Sequence, residues 1–125
     1  MNQLSRQTQE AIKALQHCHA MCHSMAMTHC LEKGGEHASP QHLRLMQDCA
    51  ALCAFTADAL GRKSQFHIPF ALLCADVCDT CAQDCTGLEG MGDCVAACRR
   101  CAASCRALGG PDGEIRVQAS RVAPG

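Results

Sequence analysis

Small apolar and sulfur-containing residues recur along the chain at steps of three and four, the spacing of one face of an α-helix. Glycine and proline interrupt this pattern. Gly34 and Gly35 are typical of a helix end, and Ser39 before Pro40 is typical of a helix start. No segment before the C-terminal tail alternates as a strand does. The pattern predicts helices over about 4–32, 40–61, 69–86 and 90–108.

Four helices with short connections predict an all-α protein, an antiparallel up-down-up-down four-helix bundle. Residues 1–108 are expected to form this bundle as one domain. Residues 109–125 form a C-terminal tail with glycine, proline and a few apolar residues. We expect this tail to be disordered, or to pack along the bundle or a neighbouring subunit.

Cysteine steps by 4, 3 and 4 residues in both the third and the fourth helix. At about 100° of rotation per residue, four such positions fall within about 60° of one another on the helix surface. Each of the two helices is therefore predicted to present one stripe of thiols to the interior. The residues are Cys74, Cys78, Cys81, Cys85, Cys94, Cys98, Cys101 and Cys105.

The same steps occur in the first two helices, where methionine and histidine replace some of the cysteines. The first-helix stripe is predicted as Cys18, Cys22, Met25 and His29, and the second as His42, Met46, Cys49 and Cys53. Cys30 lies about 120° from Cys18, so it is predicted at the edge of the first stripe. The predicted bundle thus has a thiol-lined core.

Antiparallel packing would place the cysteines of these two helices level with one another. Met25 and His29 would come level with Met46 and His42, with Met91 just beyond Cys94. This arrangement predicts a Met/His-rich mouth at one end of the bundle. The other end is predicted to be apolar, formed by Ala11, Leu15, Thr56, Leu60, Phe70, Leu73 and Leu108.

Composition narrows the possible partners. The chain has 125 residues and a formal net charge of −1, so no basic field points to nucleic acid or an anionic membrane. It has no run of about 20 apolar residues that would span a bilayer. Its first residues lack the pattern of a signal peptide, which predicts a cytosolic protein. An exported protein with its leader removed is the alternative.

The 13 cysteines are not expected to form disulfides. An odd number cannot pair completely within one chain. Helical positions i and i+4 hold their Cβ atoms ~5–6 Å apart, whereas a disulfide needs ~3.5–4.5 Å. We therefore expect free thiols.

Sulfur ligands favour soft metal ions, and Cu(I) fits this pattern best. Zinc prefers closed sets of four ligands, and four thiolates leave each Zn²⁺ site with a charge of about −2. One Cu(I) per thiolate is neutral, so a buried sulfur core can hold many such ions. We expect on the order of a dozen Cu(I) ions per chain, with Met and neutral His passing ions inward.

The two cysteine segments resemble the bacterial copper storage proteins, which are cysteine-rich four-helix bundles. They read Cys74-Ala-Asp-Val-Cys-Asp-Thr-Cys-Ala-Gln-Asp-Cys85 and Cys94-Val-Ala-Ala-Cys-Arg-Arg-Cys-Ala-Ala-Ser-Cys105. The resemblance covers about residues 10–108 and implies bulk storage of Cu(I) in a homotetramer of bundles. It also implies metal ligands at Cys18, Cys22, Cys30, Cys49, Cys53, Cys74, Cys78, Cys81, Cys85, Cys94, Cys98, Cys101, Cys105, Met25, His29, His42, Met46 and Met91.

In the family that the chain resembles, members of the cytosolic branch usually hold more cysteines, and a Met-lined mouth is typical of the exported branch. These features favour the exported branch, whereas the missing leader favours the cytosolic one.

Two other functions stay open. A zinc or cadmium thiolate buffer would saturate near three ions per chain. A thiol redox sensor would need an exposed cysteine of low pKa beside a base. The sequence has no Ser-His-Asp or phosphate-binding glycine motif, so we do not predict an enzyme.

Overall fold

The computed structural model describes residues 4–109, and these residues form four helices and no strand. The first helix continues through a π-helical turn and ends in one short α-helical turn. A 3₁₀ turn, Gly35–Ala38, connects it to the second helix. In chain order the helical segments are Arg6–Met25, the π turn Ala26–Cys30, Leu31–Lys33, Pro40–Gly61, His67–Thr86 and Gly92–Gly109. The predicted all-α fold is confirmed, and the tail from residue 110 onward lies outside the described residues.

Local signals set most of the helix ends. Ser39 caps the second helix as predicted, and its hydroxyl accepts a hydrogen bond of 3.2 Å from the backbone N–H of His42. Gly34 ends the first helix with a φ of +71°, a conformation that glycine adopts without strain. The third helix begins at His67, two residues before the predicted start. Pro69 fits there because the N–H groups of a first turn have no partner within the helix.

Each helix packs against two neighbours. The first and third helices both contact the second and the fourth. The first two helices are antiparallel, because Cys22 lies near Cys49 whereas Cys30, further along the chain, contacts the earlier residue His42. Short connections repeat this reversal after each helix, so the bundle is up-down-up-down.

Cysteine and alanine fill much of the space that larger apolar side chains occupy in other bundles. All 13 cysteines are buried, with exposed fractions of 0–1%. Leu15 and Leu60 close one end, as predicted. Leu73 was predicted there too but is 55% exposed, and Ala71 is buried instead. The reason is helical register: Leu73 lies about 100° from its neighbour Cys74, whereas Ala71 lies three positions before it on the same face.

The π turn changes the register of the first helix. It inserts one residue relative to an α-helix, and the Thr28 hydroxyl donates a 2.7 Å hydrogen bond to the Ser24 carbonyl beside it. Within this turn Ala26 and Cys30 are completely buried, while His29 and Met25 are only half-buried, although Met25 still packs against the core. Cys30 therefore belongs to the core and not to the edge of the stripe, and the roles of Met25 and His29 as ligands stay predictions.

Candidate metal centre

The sulfur atoms of the four helices meet along the bundle axis. Cys53 of the second helix shows this most clearly. Its Sγ lies 3.7 Å from that of Cys74, 3.6 Å from that of Cys78 and 3.8 Å from that of Cys101. One thiol of the second helix thus contacts thiols of both the third and the fourth.

The first helix joins the same column of sulfur. The Sγ atom of Cys98 lies 3.6 Å from that of Cys22 and 3.7 Å from that of Cys18. Cys49 continues the column, since its Sγ lies 4.0 Å from that of Cys18 and 3.7 Å from that of Cys78. The predicted convergence of thiols from all four helices is therefore present.

Groups of four thiols in this column could each hold a metal ion. Within each group the four sulfur atoms lie within 4.8 Å of one another. The groups are Cys18, Cys49, Cys53, Cys78; Cys18, Cys22, Cys49, Cys98; and Cys53, Cys74, Cys78, Cys101. They overlap, so they use eight different cysteines rather than twelve. Shared ligands favour ions bridged by thiolates over separate, closed tetrahedral sites.

The sulfur separations fit shared metal ligands and do not fit disulfides. A disulfide bond is about 2.05 Å long, whereas the closest pairs here are 3.6 Å apart. With metal–sulfur bonds of about 2.3 Å and tetrahedral angles, two sulfur ligands of one ion lie about 3.8 Å apart. The thiols therefore already have the spacing of metal ligands, and all 13 are free.

A second cluster of soft donors lies at one end of the column; we call it the terminal site, and it consists of Cys30, His42, Met46 and Met91. The Cys30 Sγ lies 3.8 Å from the Met46 Sδ, 3.7 Å from the Met91 Sδ and 3.5 Å from the His42 Nε2. All four side chains are at most 3% exposed. The terminal site thus combines one thiol with three uncharged donors.

The sequence did not indicate the role of Asp84. Its Oδ2 lies 2.6 Å from the Nδ1 of His42, on the side of the ring away from Cys30. Asp84 is one of several aspartates beside the cysteine stripes, and nothing in its spacing distinguishes it. Contact with a histidine of another helix depends on the packing of the two helices.

Met25 and His29 are not brought into the terminal site. The His29 Nε2 lies 3.0 Å from the Glu89 carbonyl oxygen, and the His37 Nε2 lies 2.8 Å from the same oxygen. Gly90, with a φ of +82°, fits beneath His29, because a Cβ there would come within 2.8 Å of the imidazole ring. Here His29 holds the connection between the third and fourth helices, and its role as a ligand stays a prediction.

The other predicted cysteines lie on their stripes as expected. Cys81, Cys85, Cys94 and Cys105 are buried within the same core. The histidines that we did not predict as ligands in the first helix, His17, His19 and His23, are exposed or half-buried.

Burial and neighbouring sulfur make most of these thiols harder to ionise. Desolvation, followed by repulsion from Cys94, raises the pKa of Cys30. Hydrogen bonds to Cys18 and Cys49, followed by burial, raise the pKa of Cys22. Cys18 differs, because hydrogen bonds from Cys101 and Cys22 lower its pKa by stabilising a thiolate there. A monovalent cation beside the buried thiols would remove much of the free-energy cost of ionising those whose pKa is raised.

The chain is similar to known proteins in both sequence and structure. The chain is 31% identical over 102 residues to the uncharacterised cysteine-rich protein YhjQ of Bacillus subtilis (strain 168), covering 79% of this chain and 86% of that protein. Its structure resembles that of the Nmul_A1745 protein from Nitrosospira multiformis, with a TM-score of 0.81 and 43% identity over 82% of this chain and 94% of that one. It also resembles the Cu(I)-bound copper storage protein BsCsp3, with a TM-score of 0.75 and 30% identity over 82% of this chain and 98% of that one.

A sequence model of one family matches the entire bundle. The model describes the copper storage proteins (Csp), and it matches residues 4–110. This match covers all four helices and every cysteine of the chain. The chain therefore belongs to the copper storage protein family.

Proposed function

We propose that this protein stores Cu(I) in bulk, on cysteine thiolates inside the bundle. The observation that carries the proposal is the continuous column of shared sulfur, in which single thiols such as Cys53 contact three others. The structural relative BsCsp3 is a Cu(I)-bound copper storage protein, which supports the same metal.

Charge and ligand sharing favour Cu(I) over a divalent ion. Cu(I) is a soft ion that thiolates and thioethers prefer. All four helices carry thiols one helical turn apart, so neighbouring ions can share ligands. One Cu(I) per thiolate keeps the buried column neutral, and on that basis the capacity is on the order of a dozen ions per chain. A zinc or cadmium buffer would instead use the overlapping groups for about two or three ions.

Copper is taken up and released through the terminal site. Two thioethers and an imidazole bind Cu(I) without adding charge, so an ion held there can pass inward to thiolates or outward to an acceptor. This transfer is an exchange of ligands and involves no catalysed reaction.

The protein acts in the cytoplasm, where reducing conditions keep thiols free. Within residues 4–109, no helix is both long and apolar enough to cross a membrane.

The assembly is a homotetramer, as the family resemblance implies. Leu31 is 48% exposed and is available for contacts between subunits.

An anaerobic titration of the apo protein with Cu(I) tests the storage function. We expect saturation near a dozen equivalents per chain, measured by competition with a Cu(I) chelator. Saturation at four or fewer would contradict storage, and saturation by zinc near two or three with weak Cu(I) binding would favour the divalent buffer.

Paired variants provide the control for this titration. Replacing Cys53 and Cys78 by alanine should lower the capacity, because both belong to two of the four-thiol groups. Replacing Met25 by leucine and His29 by glutamine should leave it nearly unchanged, because neither side chain lies in the column.

A further inference from the structure

His42 separates the sulfur core from the protein surface, with one ring nitrogen on each side. Its Nε2 faces the Cys30 Sγ at 3.5 Å, and its Nδ1 faces the Asp84 Oδ2 at 2.6 Å. The ring is 3% exposed, whereas the side chain of Asp84 is 43% exposed. An open surface pocket of about 320 Å³ adjoins the pair and is lined by Glu36, Ser39, His42, Asp84, Gly87 and Leu88.

The contact with Asp84 determines which nitrogen of a neutral His42 carries the proton. A carboxylate only accepts hydrogen bonds, so Nδ1 must donate its hydrogen to Asp84. The lone pair of a neutral imidazole is then on Nε2. That nitrogen faces the Cys30 thiol within the terminal site.

The backbone also holds His42 in place. Its N–H donates to the Ser39 hydroxyl at 3.2 Å, at the start of the second helix. Ser39 thus holds the backbone of His42 at the start of the second helix. Asp84, from the third helix, sets the orientation of the His42 ring. A histidine that binds a metal commonly donates its other N–H to a carboxylate in this way.

We propose that Asp84 is a positioning residue: it holds His42 with an unprotonated Nε2 that faces Cys30 within the terminal site, without binding copper itself. This inference rests on the proposed storage function, because it concerns the site through which copper is exchanged. Asp84 would set the affinity and exchange rate of the terminal site and leave the capacity of the thiol column unchanged.

The first test needs no copper. Nitrogen-15 NMR of the histidine rings in the apo protein distinguishes the two neutral forms of His42 and the doubly protonated form. We expect the proton on Nδ1 in the wild-type protein. In Asp84→Ala this preference should be lost, and in Asp84→Glu, which keeps a carboxylate, it should be largely retained.

The second test measures the terminal site with copper bound. Loss of a carboxylate that supports a metal ligand typically weakens a site by about 10–100-fold. We expect a loss of that size in Asp84→Ala, which removes the acceptor of the Nδ1 hydrogen, for the most weakly held Cu(I), with faster transfer to a chelator and the same total capacity. Asp48→Ala is the control, because it makes the same substitution at an exposed position on the second helix.

The two tests separate this inference from the storage function. A wild-type His42 with its proton on Nε2 or on both nitrogens would overturn the inference, as would an Asp84→Ala protein that exchanges copper like Asp48→Ala. A variant that loses thermal stability but keeps wild-type exchange would show a purely structural role and would also overturn it. Failure of storage would appear differently, as a low capacity in the wild-type protein.

Discussion

Cys30 has a different environment from the cysteines in the middle of the column. Where Cys53 contacts three other thiols, Cys30 contacts two thioethers and an imidazole. An ion at Cys30 would have one charged ligand and would lack the bridging thiolates that hold ions further inside. We therefore expect the terminal site to exchange copper faster than the column.

Replacing Met46 and Met91 together by leucine tests that difference. Leucine fills similar space but offers no donor atom, so the column should stay intact. Unlike Asp84→Ala, which keeps all four donors of the terminal site, this variant removes two of the donors through which ions pass, so we expect Cu(I) loading and release to slow several-fold, with a loss of at most about one ion per chain. Stopped-flow transfer to and from a chelator measures the rates.

The control for this pair is Met25→Leu, which changes a methionine outside the terminal site. It should load and release copper like the wild-type protein. A loss of capacity in Met46→Leu/Met91→Leu that matched its loss of rate would argue against a separate exchange site.

Copper binding should depend on pH because thiols must lose their protons. Burial raises the pKa of Cys30, so this thiol is protonated at neutral pH and an arriving Cu(I) must displace its proton. Lower pH therefore favours the protonated, metal-free form. If one proton is released for each Cu(I) bound, the affinity for Cu(I) should fall about tenfold for each unit by which the pH is lowered. Chelator competition at several pH values measures this slope, and an affinity that did not change with pH would contradict it.

At the scale of the helix, the sequence predicted most of the structure because strong local signals coincide with the core pattern. Ser39 with Pro40, and Gly34, marked helix ends that the structure confirms. Cysteines at steps of 4, 3 and 4 in the third and fourth helices allowed only one buried face. Agreement between capping and periodicity made these elements predictable.

The first helix was harder because regular α-helical spacing favours a register that the structure does not adopt. His29 and Cys30 are adjacent, and at 100° per residue it is His29 that continues the line of ligands from Cys22. Which of them is buried depends on the π turn, a one-residue insertion that leaves no mark in the spacing of apolar residues. The same limit applies to Asp84, whose role arises from contact between two helices.

Deleting Met27 should remove the π turn without removing Cys30 from the core. Met27 is 42% exposed and lies within the turn. Eight positions now separate Cys22 and Cys30, and seven would place both on one face of a regular α-helix. We expect the deletion variant to stay helical by circular dichroism and to bind as much copper as the wild-type protein.

Deleting Ala20 is the matched control. It removes a residue from regular α-helix and so rotates the preceding segment by about 100° relative to the rest. Cys18 would leave its place beside Cys98, and both stability and capacity should fall. If the two deletions had equal effects, the π turn would not be the cause of the register that we describe.

At the scale of the whole molecule, the bundle is expected to fold without metal. Leu15, Leu60 and many alanines are buried independently of any ion, and the thiols themselves pack as small apolar groups. In the apo protein the 13 thiols should react slowly with a thiol reagent and should all react quickly in denaturant. Fast reaction of most thiols without denaturant would show that the apo bundle is open.

The packing of sulfur along the axis also affects how the cell could distinguish a full molecule from an empty one. The thiols already stand at ligand spacing, so filling requires little movement of the helices that carry them. The outer surface, made by the opposite helix faces, should then look alike in both states. Copper status would have to be sensed through the exchange of ions at one end, since the shape of the protein would carry almost no information about its contents.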